Sequence, residues 1–200
     1  MFDDTYQTIA APSEGLYKEK GSKFLAFAFP VTAESQVKEH LERIRKEYFD
    51  ARHHCYAYIL GYDKAAYRVN DDGEPSGTAG KPIHGQLLSA DLTNVVIIVV
   101  RYFGGIKLGV SGLINAYRTA ARDAIDHAEI VERTIDCRYR VKFEYSLMND
   151  VMRVLKDFSL QPQNQQFDLD CQLEVSIRQS LSVRLYDSLA KVRGTTIEIL

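Results

Sequence analysis

Residues 94–121 read NVVIIVVRYFGGIKLGVSGLINAYRTAA, and most of the fold hangs on them. Val95 to Val100 are six branched aliphatics in a row, with no polar alternation. Such a strand predicts apolar cover on both of its faces. Further on, Leu113, Ile114, Ala116, Tyr117, Ala120, Ala121, Ala124, Ile125 and Ala128 recur at helical spacing and predict a long helix with a broad buried face. Between strand and helix stand Gly104, Gly105, Gly109 and Gly112. Two readings of these glycines stand side by side. In the first, Gly104 and Gly105 supply positive φ, while Gly109 and Gly112 let the helix approach the sheet. In the second, the loop and the helix start form an anion site: free backbone N–H groups and the helix dipole converge there, and Arg101 and Lys107 add charge. The spacing matches neither G-x-x-x-x-G-K-[ST] nor G-x-G-x-x-G, so no nucleotide fold is indicated.

Working outward, SKFLAFAFP (22–30) reads as a strand stopped by Pro30. Thr32 can cap a helix whose apolar positions are Val37, Leu41, Ile44 and Tyr48. HHCYAYILGY and AAYRVND read as strands joined by a turn at GYDK. Asp71 to Pro82, DDGEPSGTAGKP, is a dense loop leading into a short helix. The character changes near residue 130. From there the order is strand, helix opened by a capping serine, two strands, helix, strand, which is the ferredoxin-like βαββαβ arrangement. The sequence therefore predicts an α+β protein with a larger domain over residues 1–130 and a ferredoxin-like domain over residues 131–200.

Composition narrows the function classes. The net charge is −2, and basic and acidic residues balance on both sides of residue 130, so neither part has the cationic excess of a general nucleic-acid binder. Cys55, Cys137 and Cys171 form no C-x-x-C pair, which points to a reducing compartment and away from disulfides or structural zinc. The opening MFDDTYQTIA lacks the charged start and apolar core of a targeting signal, and the longest aliphatic run is far too short to cross a membrane. A cytoplasmic protein is expected.

The combination of DDGEPSGTAGKP with VVIIVVRYFGGIKLGVSGLINAY resembles the YigZ/IMPACT family. The likeness begins near GSKFLAFAFPV, includes ARHHCYAYILG and runs to about residue 128. The tail resembles the second domain of the bacterial YigZ branch. The resemblance implies a first domain like one found in ribosomal proteins and elongation factors, and a tail like the C-terminal domains of elongation factor G. For the eukaryotic branch it implies regulation of translation through a larger activator protein on ribosomes. For the bacterial branch it implies a likeness to nucleic-acid-binding domains. Many members have Gly-Gly-Leu-Val-Arg-Ala-Tyr where this chain has Ser111, Gly112, Leu113, Ile114, Asn115, Ala116 and Tyr117. Asn115 removes a cation that could have met a phosphate.

Each motif is weighed against its structural reading. Asp71, Asp72 and Glu74 could gather a hard cation, but the spacing is not that of an EF-hand, and Asp, Ser76 and Thr78 form tight turns unaided. On a strand His53 and Cys55 share one face and His54 and Tyr56 the other. No third group is evident to orient a base, so packing rather than catalysis is expected there. Arg138, Arg140 and Lys142 alternate onto one strand face, read first as a solvated charged face and second as a basic stripe that could suit RNA, with Tyr139 and Phe143 opposite in the core. The expectation is a non-enzymatic binding protein of the translation apparatus without cofactor or metal, its partner being a protein, the ribosome or RNA. One loop would present Asp71, Asp72, Glu74, Gly77, Thr78 and Gly80. The other would present Arg101, Tyr102, Phe103, Gly104, Gly105, Lys107, Gly109, Ser111, Gly112 and Asn115. The rival is an enzyme acting on a phosphorylated small molecule through the glycine loop. A binding module predicts an open, flat or grooved surface with exposed Arg101, Tyr102 or Phe103; an enzyme predicts a closed concave pocket where the two loops converge, with at least one carboxylate of perturbed pKa.

Overall fold

The computed structural model describes residues 4–168 and 170–200. Met1 to Asp3, part of the stretch read for a targeting signal, lie outside them. The chain divides into two compact units. One is Tyr6–Arg133; the other is Thr134–Leu200 together with the start of the chain through Thr5. Both mix helices with antiparallel sheet in an α+β architecture.

The first unit holds β1 (Thr5–Ile9, entering from the other unit), β2 (Ser13–Glu19), β3 (Ser22–Pro30), α1 (Glu34–Glu47), β4 (His53–Leu60), β5 (Ala66–Asn70), α2 (Gly80–Ser89), β6 (Val95–Tyr102), α3 (Gly109–Asp126) and β7 (Ile130–Thr134). Five strands form one antiparallel sheet in the order β2-β3-β6-β4-β5, and β1 pairs with β7 apart from it. The run at 95–100 is the central strand. Val95, Ile97 and Val99 face α2 and α3, packing with Ile83, Leu87, Leu113, Tyr117 and Ala120. Val96, Ile98 and Val100 face α1, packing with Val37, Leu41 and Ile44. Unbroken apolarity thus means cover on two faces even in an antiparallel sheet.

The glycines divide differently from the expectation. Gly105 (φ +87°) and Gly109 (φ +72°) hold the left-handed backbone, and a Cβ on either would meet open space. Gly104 is the close approach: a Cβ there would lie 1.9 Å from the Gly21 carbonyl carbon. β1 and β2 escape the sequence reading because TYQTI and SEGLYKE carry few apolar residues. Thr32 does not cap α1; its N–H instead donates to Gln36 Oε1 at 2.7 Å.

The second unit holds β8 (Asp136–Glu144), α4 (Met148–Asp157), β9 (Gln163–Phe167), β10 (Asp170–Arg178), α5 (Gln179–Ala190) and β11 (Thr196–Ile199). The sheet order β11-β8-β10-β9 is the ferredoxin-like one. A 3-10 turn over Tyr145–Leu147 stands where a serine cap was expected before α4. Tyr139, Val141 and Phe143 face the helices with Val151, Leu155 and Leu185.

Asp4 is built into this unit. Its carboxylate accepts both Arg178 Nε–H and Nη2–H at 2.6 Å, and Ser180 N–H at 3.2 Å in the first turn of α5. Arg178, and then Ser180, hold the Asp4 carboxyl well below the usual carboxylate range. A folded-state pKa lowered in this way contributes stability that is complete above the unfolded value, about 3.9, and is lost as pH falls below it. Asp4→Asn is therefore expected to lower the unfolding midpoint at pH 7. The gap from wild type should close as an acid titration passes below about pH 4, and a gap that stays constant would show that the ion pair is not its source.

Candidate functional site

The loop after β5 turns at Asp72 (φ +42°) and Gly73 (φ +87°), closed by Glu74 N–H donating to the Asp71 carbonyl at 2.9 Å. Two central residues at positive φ make a tight reversal that sends Glu74 inward. Asp71 is consumed by the backbone that follows. Its carboxylate accepts N–H from Gly77 (2.8 Å), Ala79 (3.0 Å) and Gly80 (2.8 Å), capping α2 from outside the helix. Gly80 makes the close approach this needs, since a Cβ there would sit 2.7 Å from Asn70 N. Asp72 accepts the His54 backbone N–H at 2.7 Å and lies 3.4 Å from Arg45 Nη2. Thr78 donates its hydroxyl to the Pro75 carbonyl at 2.6 Å. Asp71, Asp72 and Glu74 thus turn to three different partners. Among the described residues no cluster of three or more His, Cys, Asp or Glu side chains is arranged to hold a metal ion.

Glu74 ends in a buried polar chain. Arg101 Nη1–H donates to Glu74 Oε1 at 2.6 Å, and Tyr117 O–H donates to the same oxygen at 2.8 Å. The Arg101 and Glu74 side chains are only 8% and 3% exposed. Cys55 Sγ lies 3.3 Å from Tyr117 Oη and 3.0 Å from the Asp71 carbonyl. Burial pushes the Cys55 thiol and the Tyr117 hydroxyl far up, so both keep their protons. His53 and Cys55 do share a strand face, and His53 Nδ1–H donates to the Asp72 carbonyl at 2.8 Å. The thiol is packed and protonated, which is the opposite of an activated nucleophile.

Arg101 is therefore not the exposed contact expected of it. It sits over Phe24, 5.5 Å from the ring centroid, and 5.7 Å from that of Phe103. Tyr102 leaves by the other face of the sheet, where its hydroxyl donates to Asp50 Oδ1 at 2.7 Å and is pushed up to about 12 by that bond. Alternation along β6 separates the two side chains that were expected to act together.

The two loops do converge. Glu74 and Pro75 from the first and Arg101, Phe103, Lys107, Leu108, Gly109, Val110 and Leu113 from the second line a largely apolar cleft of about 400 Å³. Phe103 and Val110 in its lining are more than half exposed, as is Ile106 on the same loop. Leu108 and Val110 were not singled out in the sequence, and Leu113 was read only as helix core; apolar residues beside the glycines were the available signal. Gly77, Thr78 and Gly80 shape the first loop without lining the cleft, and Gly104, Gly105 and Gly112 shape the second.

Residues 20–125 match the Impact N-terminal domain family. The chain belongs to the IMPACT family. It is 33% identical to the IMPACT family member YvyE of Bacillus subtilis over 153 residues, 76% of this chain and 70% of that one. It is 34% identical to the IMPACT family member YigZ of Escherichia coli over 148 residues, covering 73% and 72%. A crystal structure of a hypothetical protein aligns with a TM-score of 0.76 and 30% identity, over 98% of this chain and 97% of that one. Asn115 is exposed on α3 and donates to Tyr17 Oη at 3.4 Å, while Ser111 is exposed one turn earlier. Asn115 does not line the cleft, so the missing cation is not missing from there.

Arg138, Arg140 and Lys142 occupy one face of the ferredoxin-like sheet, as alternation predicts. Each has a carboxylate across a strand: Arg138 and Arg140 meet Glu174 at 3.0 and 2.8 Å, and Lys142 meets Glu198 at 2.6 Å. Arg140 holds Glu174, and Lys142 holds Glu198, below the usual carboxylate range. The stripe is a ladder of three cations paired across strands with two carboxylates.

Proposed function

We propose that this chain is a non-enzymatic binding and regulatory protein of the translation apparatus, and that a protein partner seats on the cleft between the 71–82 and 101–112 loops. The exposed apolar side chains of Phe103 and Val110 on a cleft edged by Lys107 carry the reading. Contiguous exposed apolar surface of this kind marks a protein contact. The IMPACT family likeness supplies the translation context through what it implies for the eukaryotic branch. The rival reading, chemistry on a phosphorylated small molecule, would use the same cleft. It is less favoured because Asp71, Asp72 and Glu74 are held by backbone N–H groups and cations. The paired cations on the ferredoxin-like sheet, each already on a carboxylate, likewise lend little to RNA as the main partner.

Affinity capture from lysate at low and moderate salt, comparing wild type with Phe103→Ala/Lys107→Ala, tests the proposal. Wild type is expected to recover ribosomal fractions or an identified translation factor, and the variant about tenfold less, with an unchanged unfolding midpoint. Arg101→Ala is unsuitable here because it removes a buried cation. Equal recovery by both proteins, or none above background by either, would sink the reading.

A further inference from the structure

We infer that the cleft takes the C-terminus of a protein partner, with the terminal carboxylate at the start of α3 and the last apolar side chain against the cleft wall. This inference rests on the partner-binding reading and names the chemistry of its ligand.

Four observations meet at one place. The first turn of α3 carries no side-chain cap and no acidic residue, so its leading N–H groups and the positive end of its dipole are left without a local anion. α3 runs from Gly109 to Asp126, long enough for that dipole to count, and Gly109 and Val110 line the cleft. The Arg101 guanidinium, more than nine-tenths buried in the cleft wall, gives one hydrogen bond, to Glu74, and its Nε–H has no acceptor among the described residues. That Nε–H is fully enclosed, so it adds positive potential behind the cleft wall rather than a bond to the ligand. Third, the lining charges do not cancel: Glu74 answers Arg101, which leaves Lys107 in surplus. Last, the remaining wall is apolar, formed by Phe103, Leu108, Val110 and Leu113.

These features select the ligand's chemistry. A phosphate would satisfy the donors but leave the apolar wall unused, and a neutral apolar segment would fill the wall but leave the donors unmet. A chain end with an apolar last residue satisfies both, because its carboxylate accepts from successive backbone N–H groups while its side chain fills the slot. Glu74 does not repel it strongly, since Oε1 is already shared by Arg101 and Tyr117 and the side chain is almost fully enclosed.

The test uses the full chain and a pair of probes: the peptide acetyl-Ala-Ala-Ala-Leu with a free carboxylate, and the same peptide amidated. Calorimetric titration is expected to give binding of the acid about tenfold tighter than of the amide. Lys107→Gln should remove most of that difference. Ser111→Asp should abolish binding of the acid while raising the unfolding midpoint, because the new carboxylate occupies the same N–H groups; misfolding cannot mimic that pair of results. Equal affinity for acid and amide, retention of binding in Ser111→Asp, or displacement of the peptide by millimolar inorganic phosphate would each overturn the assignment. The two proposals fail separately. Peptide binding without recovery of translation components would sink the translation reading alone, and recovery that Ser111→Asp leaves intact would sink this one alone.

Discussion

Glu74→Ala is expected to lower the stability of the Tyr6–Arg133 unit by about 3–5 kcal/mol, the cost of stranding a buried charge. The argument is asymmetric. The intact pair contributes little net stability, because bringing Arg101 and Glu74 out of water costs nearly what their 2.6 Å contact returns. Removing the carboxylate leaves the guanidinium enclosed without its counter-charge and the Tyr117 hydroxyl without its acceptor. The chain has no tryptophan, so urea unfolding followed by far-UV circular dichroism is the suitable measurement. Replacing both members, as Glu74→Leu with Arg101→Met and Tyr117→Phe, is expected to recover most of the loss. Failure to recover would mean that the network acts through loop geometry rather than charge. Lys142→Ala sets the scale from the other side. Its pair with Glu198 is nearly half exposed on both partners, and losing it should leave the unfolding midpoint almost unchanged.

Gly104→Ala is expected to cost about 3 kcal/mol, at the upper end for overpacking. The added Cβ would stand 1.9 Å from the carbonyl carbon of Gly21 and 2.2 Å from Ser22 N. Both are backbone atoms, and no rotamer change relieves the clash. Either the β2–β3 turn or the 101–112 loop has to move, so the cleft should lose its ligand along with the stability. Gly105→Ala separates this from a general need for glycine. That Cβ would meet nothing, so only the left-handed backbone at φ +87° resists it, at about 1 kcal/mol. The same unfolding series reads both variants. Equal costs would mean that conformation, and not space, governs the loop.

What was legible in the sequence was what repeats along it. The aliphatic run of β6, the apolar face of α3 and the βαββαβ order of the tail are periodic signals, and each element is where its period places it. Pairings across long separations were not legible. Nothing local to Asp71 says that its carboxylate will cap a helix nine residues on, and nothing local to Arg101 names Glu74, 27 residues earlier. The loop's acids therefore read as candidate ligands when they are internal fasteners. The division of Arg101 from Tyr102 was within reach, since it follows from alternation once β6 is known to end at Tyr102. The glycines that follow hide that end. β1 and β2 were missed for a different reason: their polarity belongs to strands that bury few of their side chains, which leaves little hydrophobic signal to read.

The bond between Asp4 and Arg178 joins residues 174 positions apart, and so sets an order of events during synthesis. Asp4 is made well before Arg178, with the whole of the Tyr6–Arg133 unit between them. The five-stranded sheet can close while the chain is still growing, but the ferredoxin-like unit cannot seat Asp4 on α5 until that helix has been made. A chain stopped short of Arg178 would leave an early acidic residue waiting for a cation that never arrives. Closure of that unit is in this sense a receipt for progress along the chain, issued only after translation has passed α5.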